Sequence, residues 1–133
     1  MPDPGRGGGL RNGRGAIEGE PVPLDSKDPR YSDYLKQLRR QIQEKWAYPR
    51  EAAERDLQGQ LIVEIGIAKD GRLAYLDLRR SSGVRILDAY ALNAVKLAQP
   101  FPPVPDRISL SGFPVTVVFN YILEIWPLTK VLR

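Results

Sequence analysis

Cysteine and histidine are both absent from the 133-residue chain. Without cysteine there is no disulfide scaffold, no thiolate metal site and no cysteine nucleophile. Without histidine, imidazole triads, most zinc centres and the usual general base near neutral pH are excluded as well. No apolar run approaches the roughly 20 residues of a membrane span, and the opening residues do not have the pattern of a secretory leader. The charge excess is small, 20 basic against 16 acidic side chains with a pI near 9.5. It favours weak attraction to anionic surfaces without singling out nucleic acid. These absences weigh against an enzyme and towards a binding or mechanical module. The 42% of hydrophobic residues is enough for a core in one small domain.

Composition changes sharply near residue 28. Residues 1–30 hold seven glycines and five prolines, half of the chain's total of both types, and almost no large apolar residue. Such a segment buries too little surface to offset its ordering entropy. The expectation is a flexible linker over 1–27 with an extended Pro21-Val22-Pro23 piece, a domain over 28–126 and a tail over 127–133. A linker at the start suggests the C-terminal piece of something longer.

Asp28-Pro29 is a helix-start signal. Tyr31, Tyr34, Leu35, Leu38, Ile42 and Trp46 then recur at helical spacing, with Lys36, Arg39, Arg40, Gln43 and Glu44 on the other side. Tyr48-Pro49 stops the helix, because the residue before proline is driven out of the α region. A short helical turn over about 50–55 follows.

From Gln60 the pattern alternates: Leu61, Val63, Ile65 and Ile67 share one face, and Gln60, Ile62, Glu64 and Gly66 the other. Asp70-Gly71 suits a hairpin turn. A two-residue loop there sets Val63 opposite Leu78, Ile65 opposite Leu76 and Ile67 opposite Ala74. Ser81-Ser82-Gly83 breaks the return strand, and Val84, Leu87, Ala91, Val95 and Ala98 trace a second helix, expected to begin near Leu87-Asp88. Pro100-Phe101-Pro102-Pro103 ends it. In the last strand Val115, Val117, Phe119, Tyr121 and Leu123 alternate with Thr116, Val118, Asn120 and Ile122. The order is helix, strand, strand, helix, strand.

Several residue groups bear on chemistry. Glu64 and Asp77 face one another across the hairpin, but as a solvated pair on an open sheet beside Arg79 rather than an acid–base pair. Ser81 and Ser82 have no histidine to activate them. Gly5-Arg6-Gly7-Gly8-Gly9 lacks the strand and helix that flank a phosphate loop. Arg39, Arg40, Arg79, Arg80 and Arg85 form a basic set, with Tyr75 the only aromatic expected on the hairpin's solvent side, which is a poor platform for single-stranded nucleic acid. No metal or cofactor is expected. The last strand is the best binding candidate. A helical crossover lets it lie beside the first strand and antiparallel to it, as the outermost strand. Its outward face, Thr116, Val118, Asn120 and Ile122, carries two β-branched apolar residues that invite cover, and its edge would offer backbone groups to a partner.

The ordered set Tyr48-Pro49, Gly59-Gln60-Leu61-Ile62-Val63, Lys69-Asp70-Gly71-Arg72-Leu73, Ser81-Ser82-Gly83, Leu87-Asp88, Ala91-Leu92, Ala94-Val95, Pro100-Phe101-Pro102-Pro103 and Val115-Thr116-Val117-Val118-Phe119 resembles the C-terminal domain of TonB-family energy transducers over about residues 30–125. The resemblance implies an α+β domain with a three-stranded antiparallel sheet and two helices on one face. It implies a non-enzymatic periplasmic adaptor anchored to the inner membrane in the full-length protein. It also implies that the adaptor binds a short extended segment of an outer-membrane TonB-dependent transporter by strand addition. Tension from a proton-driven motor of the ExbB/ExbD type would then reach the transporter and drive uptake of cargo such as siderophores or vitamins. Tyr48 and Pro49 would help position the added strand. A homodimer formed by strand exchange stays open beside a monomer. A TolA-like envelope protein and a basic nucleic-acid module are the rival readings. Tyr-Pro before the first strand and Pro-Phe-Pro-Pro after the second helix favour TonB over TolA.

Overall fold

A computed structural model describes residues 17–125 and 131–133. Residues 1–16 of the linker expected over 1–27, and residues 127–130 of the tail expected over 127–133, lie outside these residues. The elements are β1 (Val22–Pro23), α1 (Ser32–Lys45), α2 (Arg50–Glu54), β2 (Gly59–Ile67), β3 (Leu73–Arg80), α3 (Arg85–Leu97), β4 (Phe113–Tyr121), a 3₁₀ turn (Leu123–Ile125) and β5 (Val131–Leu132). No helix among the described residues is long and apolar enough to cross a membrane.

The α1 stripe is buried as its spacing requires: Tyr34, Leu35, Leu38, Ile42 and Trp46 all enter the core. The helix starts later than Asp28. The Asp28 carboxylate accepts from the Arg30 amide at 2.9 Å, and its carbonyl accepts from Tyr31 and Ser32, so a separate turn precedes Ser32. At α3 the expectation errs the other way. The helix already begins at Arg85, because buried Asp88 accepts from the Ser82 amide at 2.9 Å and from the hydroxyls of Ser81 and Ser82. That pins the strand end against the helix's first turn and satisfies the polar groups of the Ser81-Ser82 turn.

The sheet is not the expected three antiparallel strands. Its order is β1-β4-β2-β3, with β5 also on β4. β2 is central and antiparallel to both β3 and β4, whereas β1 runs parallel to β4 with Val22 opposite Val115 and Pro23 opposite Thr116. Leu61, Val63, Ile65 and Ile67 of β2 and Val115, Val117 and Phe119 of β4 face the helices with no exposed surface. The mixed sheet arises because both ends of the domain fold back on it, a feature without periodicity to reveal it.

The hairpin differs from expectation in one detail. Ala68 N–H bonds the Arg72 carbonyl, and Gly71 N–H bonds the Ala68 carbonyl, both at 2.8 Å. The loop is therefore three residues, Lys69-Asp70-Gly71, with Gly71 at φ +96°, the turn-plus-bulge arrangement that needs glycine in the left-handed region. The extra residue shifts Ile67 from Ala74 to Leu73, while Val63–Leu78 and Ile65–Leu76 pair as expected. Lys69 Nζ donates to the Val104 and Ser109 carbonyls at 2.7 and 2.8 Å, which ties this turn to the proline-rich loop after α3.

The linker expectation also needs correction over 17–27. Ile17 and Leu24 are 6% and 2% exposed, and the Leu24 amide donates to the Thr116 carbonyl at 2.9 Å. A glycine- and proline-rich segment can still dock when two apolar side chains find pockets and a sheet edge takes up its backbone groups. The tail is likewise structured at its end, where Val131–Leu132 form β5.

Candidate functional site

β4 is a nine-residue strand whose inner edge is fully paired to β2, from Phe113 opposite Ile67 to Tyr121 opposite Gly59. Its outer edge is where the sequence pattern expects a partner. That edge is not bare. Its N-terminal half holds β1, and its C-terminal half holds β5, with Phe119 opposite Leu132 and Asn120 opposite Val131. The Arg133 amide donates to the Val118 carbonyl at 2.9 Å, and the Val118 amide donates to the Arg133 carbonyl. The reading of β4 as outermost is thus corrected: two short strands from the chain's own ends bracket it.

The pairing fixes a parity. The Val118 N–H and C=O and the Thr116 C=O point outward, so by the alternation of an antiparallel ladder the amides of Val115, Val117 and Phe119 point inward to β2. Pro114 obeys the same parity: it stands at an outward position, where a missing N–H costs no bond to β2.

The six residues singled out from sequence fall into two groups. Thr116 and Val118 are half-buried on the sheet face away from the helices, and Asn120 beside them is buried, its Oδ1 accepting from Gln60 Nε2 at 2.7 Å. Ile122, half-buried, lies just past the strand. Tyr48 and Pro49 sit at the strand's C-terminal end but on the helix side. The Tyr48 ring meets Tyr121 edge-on at 5.0 Å, and Trp46 meets Tyr121 and Phe119 at 5.2 and 5.1 Å. The Tyr48 hydroxyl donates to the Leu57 carbonyl, and Pro49 is buried at the start of α2. Burial, with the Asp56 carboxylate adding to it, holds the Tyr48 phenol above its ordinary pKa. The structure therefore joins Tyr48 to the end of β4 through Tyr121, while the sheet separates it from Thr116 and Val118.

The polar side of the hairpin differs from the open, solvated face expected. Glu64 is 7% exposed and accepts from the Tyr75 hydroxyl, with Arg79 Nη1 at 3.9 Å. Tyr75, expected in solvent, is buried because its ring lies flat across Gly66, where an added Cβ would come within 2.0 Å of it. Only glycine leaves room for that ring. Glu64→Ala is therefore expected to cost about 1–3 kcal/mol, the range for losing a charged acceptor inside a folded protein, and urea denaturation measures it. The basic set is also divided. Arg79 lies with Glu64 on this face, whereas Arg39 belongs to α1 on the other.

The signal that sequence reading missed was at the edge itself. Val22 and Leu24 flank Pro23 at strand spacing, but two prolines and neighbouring glycines mask them.

The geometry can be set beside known proteins. A family model described as the Gram-negative bacterial TonB protein C-terminal matches residues 44–123. The solution structure of the Helicobacter pylori TonB C-terminal domain is similar at 26% identity and a TM-score of 0.56, covering 68% of this chain and 95% of that one. A longer piece of the same Helicobacter pylori domain gives 24% identity and a TM-score of 0.59, covering 79% and 95%, and supports the fold alone. The search of curated proteins found no match. With the matched stretch running from the end of α1 through β4, the chain belongs to the family of TonB protein C-terminal domains.

Proposed function

We propose that the chain is a periplasmic adaptor that takes up a short extended segment of an outer-membrane TonB-dependent transporter as an added strand on β4. The observation that carries this reading is the outer edge of β4 from Val115 to Asn120, already used by two-residue strands. An edge that accepts one backbone in parallel and another antiparallel has its N–H and C=O groups set for an extended segment. Two-residue pairings are weak cooperative units, so a longer segment can replace them. Thr116, Val118, Asn120 and Ile122 would meet alternate side chains of the added strand, and Tyr48 and Pro49 would bound its far end. In this reading the adaptor does no chemistry. It passes tension derived from the proton-motive force to the transporter during uptake of cargo such as siderophores or vitamins. That requires an inner-membrane anchor and a motor of the ExbB/ExbD type. Several backbone bonds loaded side by side suit the task.

The test is a titration of a peptide copied from a transporter's periplasmic N-terminal segment into the ¹⁵N-labelled chain. Amides of Thr116, Val118 and Asn120 should shift and saturate together, with those of Val22–Leu24 or Val131–Arg133 changing as the end strands leave. Shifts confined to β3 or to the exposed side of α3 would contradict this site.

A further inference from the structure

A cleft of about 290 Å³ opens between the N-terminal arm and the start of α1. Its polar lining is Asp25, Ser26 and Lys27 from the arm and Ser32, Lys36 and Arg39 from the helix. Sequence spacing builds the helical wall: positions 32, 36 and 39 fall on one face of an α-helix. The arm wall is held by a turn in which the Ser26 amide donates to the Pro23 carbonyl at 3.0 Å and the Ser26 hydroxyl accepts from the Asp28 amide at 3.2 Å.

Three cations against one carboxylate leave the lining with a net charge of +2. Among the described residues none of the three cations has an ion-pair partner. Arg39 is half-buried, and its Nε is fully buried without a hydrogen-bond partner. An arginine that merely lays its stem on the surface keeps its head in water. A buried donor without an acceptor is costly and marks a place where an anionic acceptor is wanted.

We propose that this cleft binds a phosphate group, carried by a small soluble compound or by a phospholipid headgroup. A net charge of +2 attracts both a phosphate monoester dianion and a phosphodiester, which carries one negative charge. Lysine ammonium groups and serine hydroxyls can serve several oxygens of a tetrahedral anion, whereas a carboxylate with two oxygens would leave donors unused. Guanidinium nitrogens hold two phosphate oxygens side by side, and the first turns of α1 add their positive dipole end. The volume leaves room for an organic substituent next to the phosphate. Because one wall is the arm and the other is α1, the site is complete only while the arm is docked. Phosphate binding therefore stabilises the docked arm by mass action, and with it β1 on the edge of β4. The binding site itself does not depend on the transporter reading.

The experiment titrates inorganic phosphate into the ¹⁵N-labelled 133-residue chain, with ionic strength held constant by chloride. Amides of Ser26, Lys27, Ser32, Lys36 and Arg39 should shift along one saturable curve. Lys27→Gln and Lys36→Gln alter exposed side chains, so folding is not at issue. Each should weaken binding by about five- to tenfold, the loss of one charge-assisted contact, while Arg79→Gln on the opposite sheet face should leave it unchanged. Sedimentation with phosphatidylglycerol vesicles then separates the sources. Sedimentation that Lys36→Gln weakens and Arg79→Gln spares assigns a lipid headgroup. Saturable phosphate binding without sedimentation assigns a soluble phosphorylated compound. Both support the cleft. Shifts that grow linearly with phosphate, that chloride reproduces, or that Arg79→Gln reduces as much as Lys36→Gln would overturn it.

Discussion

Phe119→Ala is expected to lower the unfolding free energy by about 3–5 kcal/mol, the range for emptying a buried phenylalanine site. Phe119 has no exposed surface, stands opposite Leu61 in the central strand and meets the Trp46 ring nearly perpendicularly at 5.1 Å. Its strand is paired on both sides, to β2 and to β5, so the backbone cannot move in to fill the hole. Trp46 is itself fully buried at the end of α1 and loses an aromatic neighbour worth about 0.5–1.5 kcal/mol beyond its area. Leu110→Ala supplies the comparison. That side chain is 78% exposed, and its removal should stay within about 0.5 kcal/mol. Urea denaturation at unchanged m-value measures both. Equal midpoints for the two variants would mean that Phe119 does not face the core.

Much of this interior is legible in the amino-acid pattern. The stripe from Tyr34 to Trp46 and the alternation from Leu61 to Ile67 and from Val115 to Tyr121 are long enough for periodicity to fix which side chains are buried. Turn chemistry places the hairpin but not its loop length, because Asp-Gly serves both a two-residue loop and a three-residue loop with glycine last. Alternation also tells which face Glu64 occupies without telling how well that face is covered. Its burial depends on the Tyr75 ring crossing Gly66, a cross-strand fit that period alone does not encode.

The candidate site is legible as a strand and obscure as an edge. β1 and β5 are two residues each, too short to carry a pattern. Their stability rests on a few backbone bonds and on the buried side chains of Ile17, Leu24 and Leu132. The arm in addition runs parallel to β4 between two prolines, where strand propensity is poor. Composition alone makes such segments look like linker and tail, and only tertiary contact reverses it. The same contact turns an open edge into one bracketed by two short strands.

In the proposed mechanism, β4 gives its inward backbone groups to folding and its outward ones to a partner. Two adjacent prolines separate these roles. Val117→Pro removes an inward amide from the pairing with β2 and sets a ring inside the sheet, so it should cost about 3 kcal/mol or more of stability. Val118→Pro removes the outward amide that bonds Arg133, at a position of the same parity as Pro114. The fold should persist, with the loss confined to the β5 pairing. The decisive measurement is calorimetric titration of the transporter peptide into the wild-type chain and into the Val118→Pro variant, whose fold is first verified by its amide spectrum. Strand addition predicts binding to wild type and a loss of at least about tenfold in affinity for the folded variant, one strong backbone contact or more. Wild-type affinity in a correctly folded Val118→Pro chain would contradict strand addition at this edge.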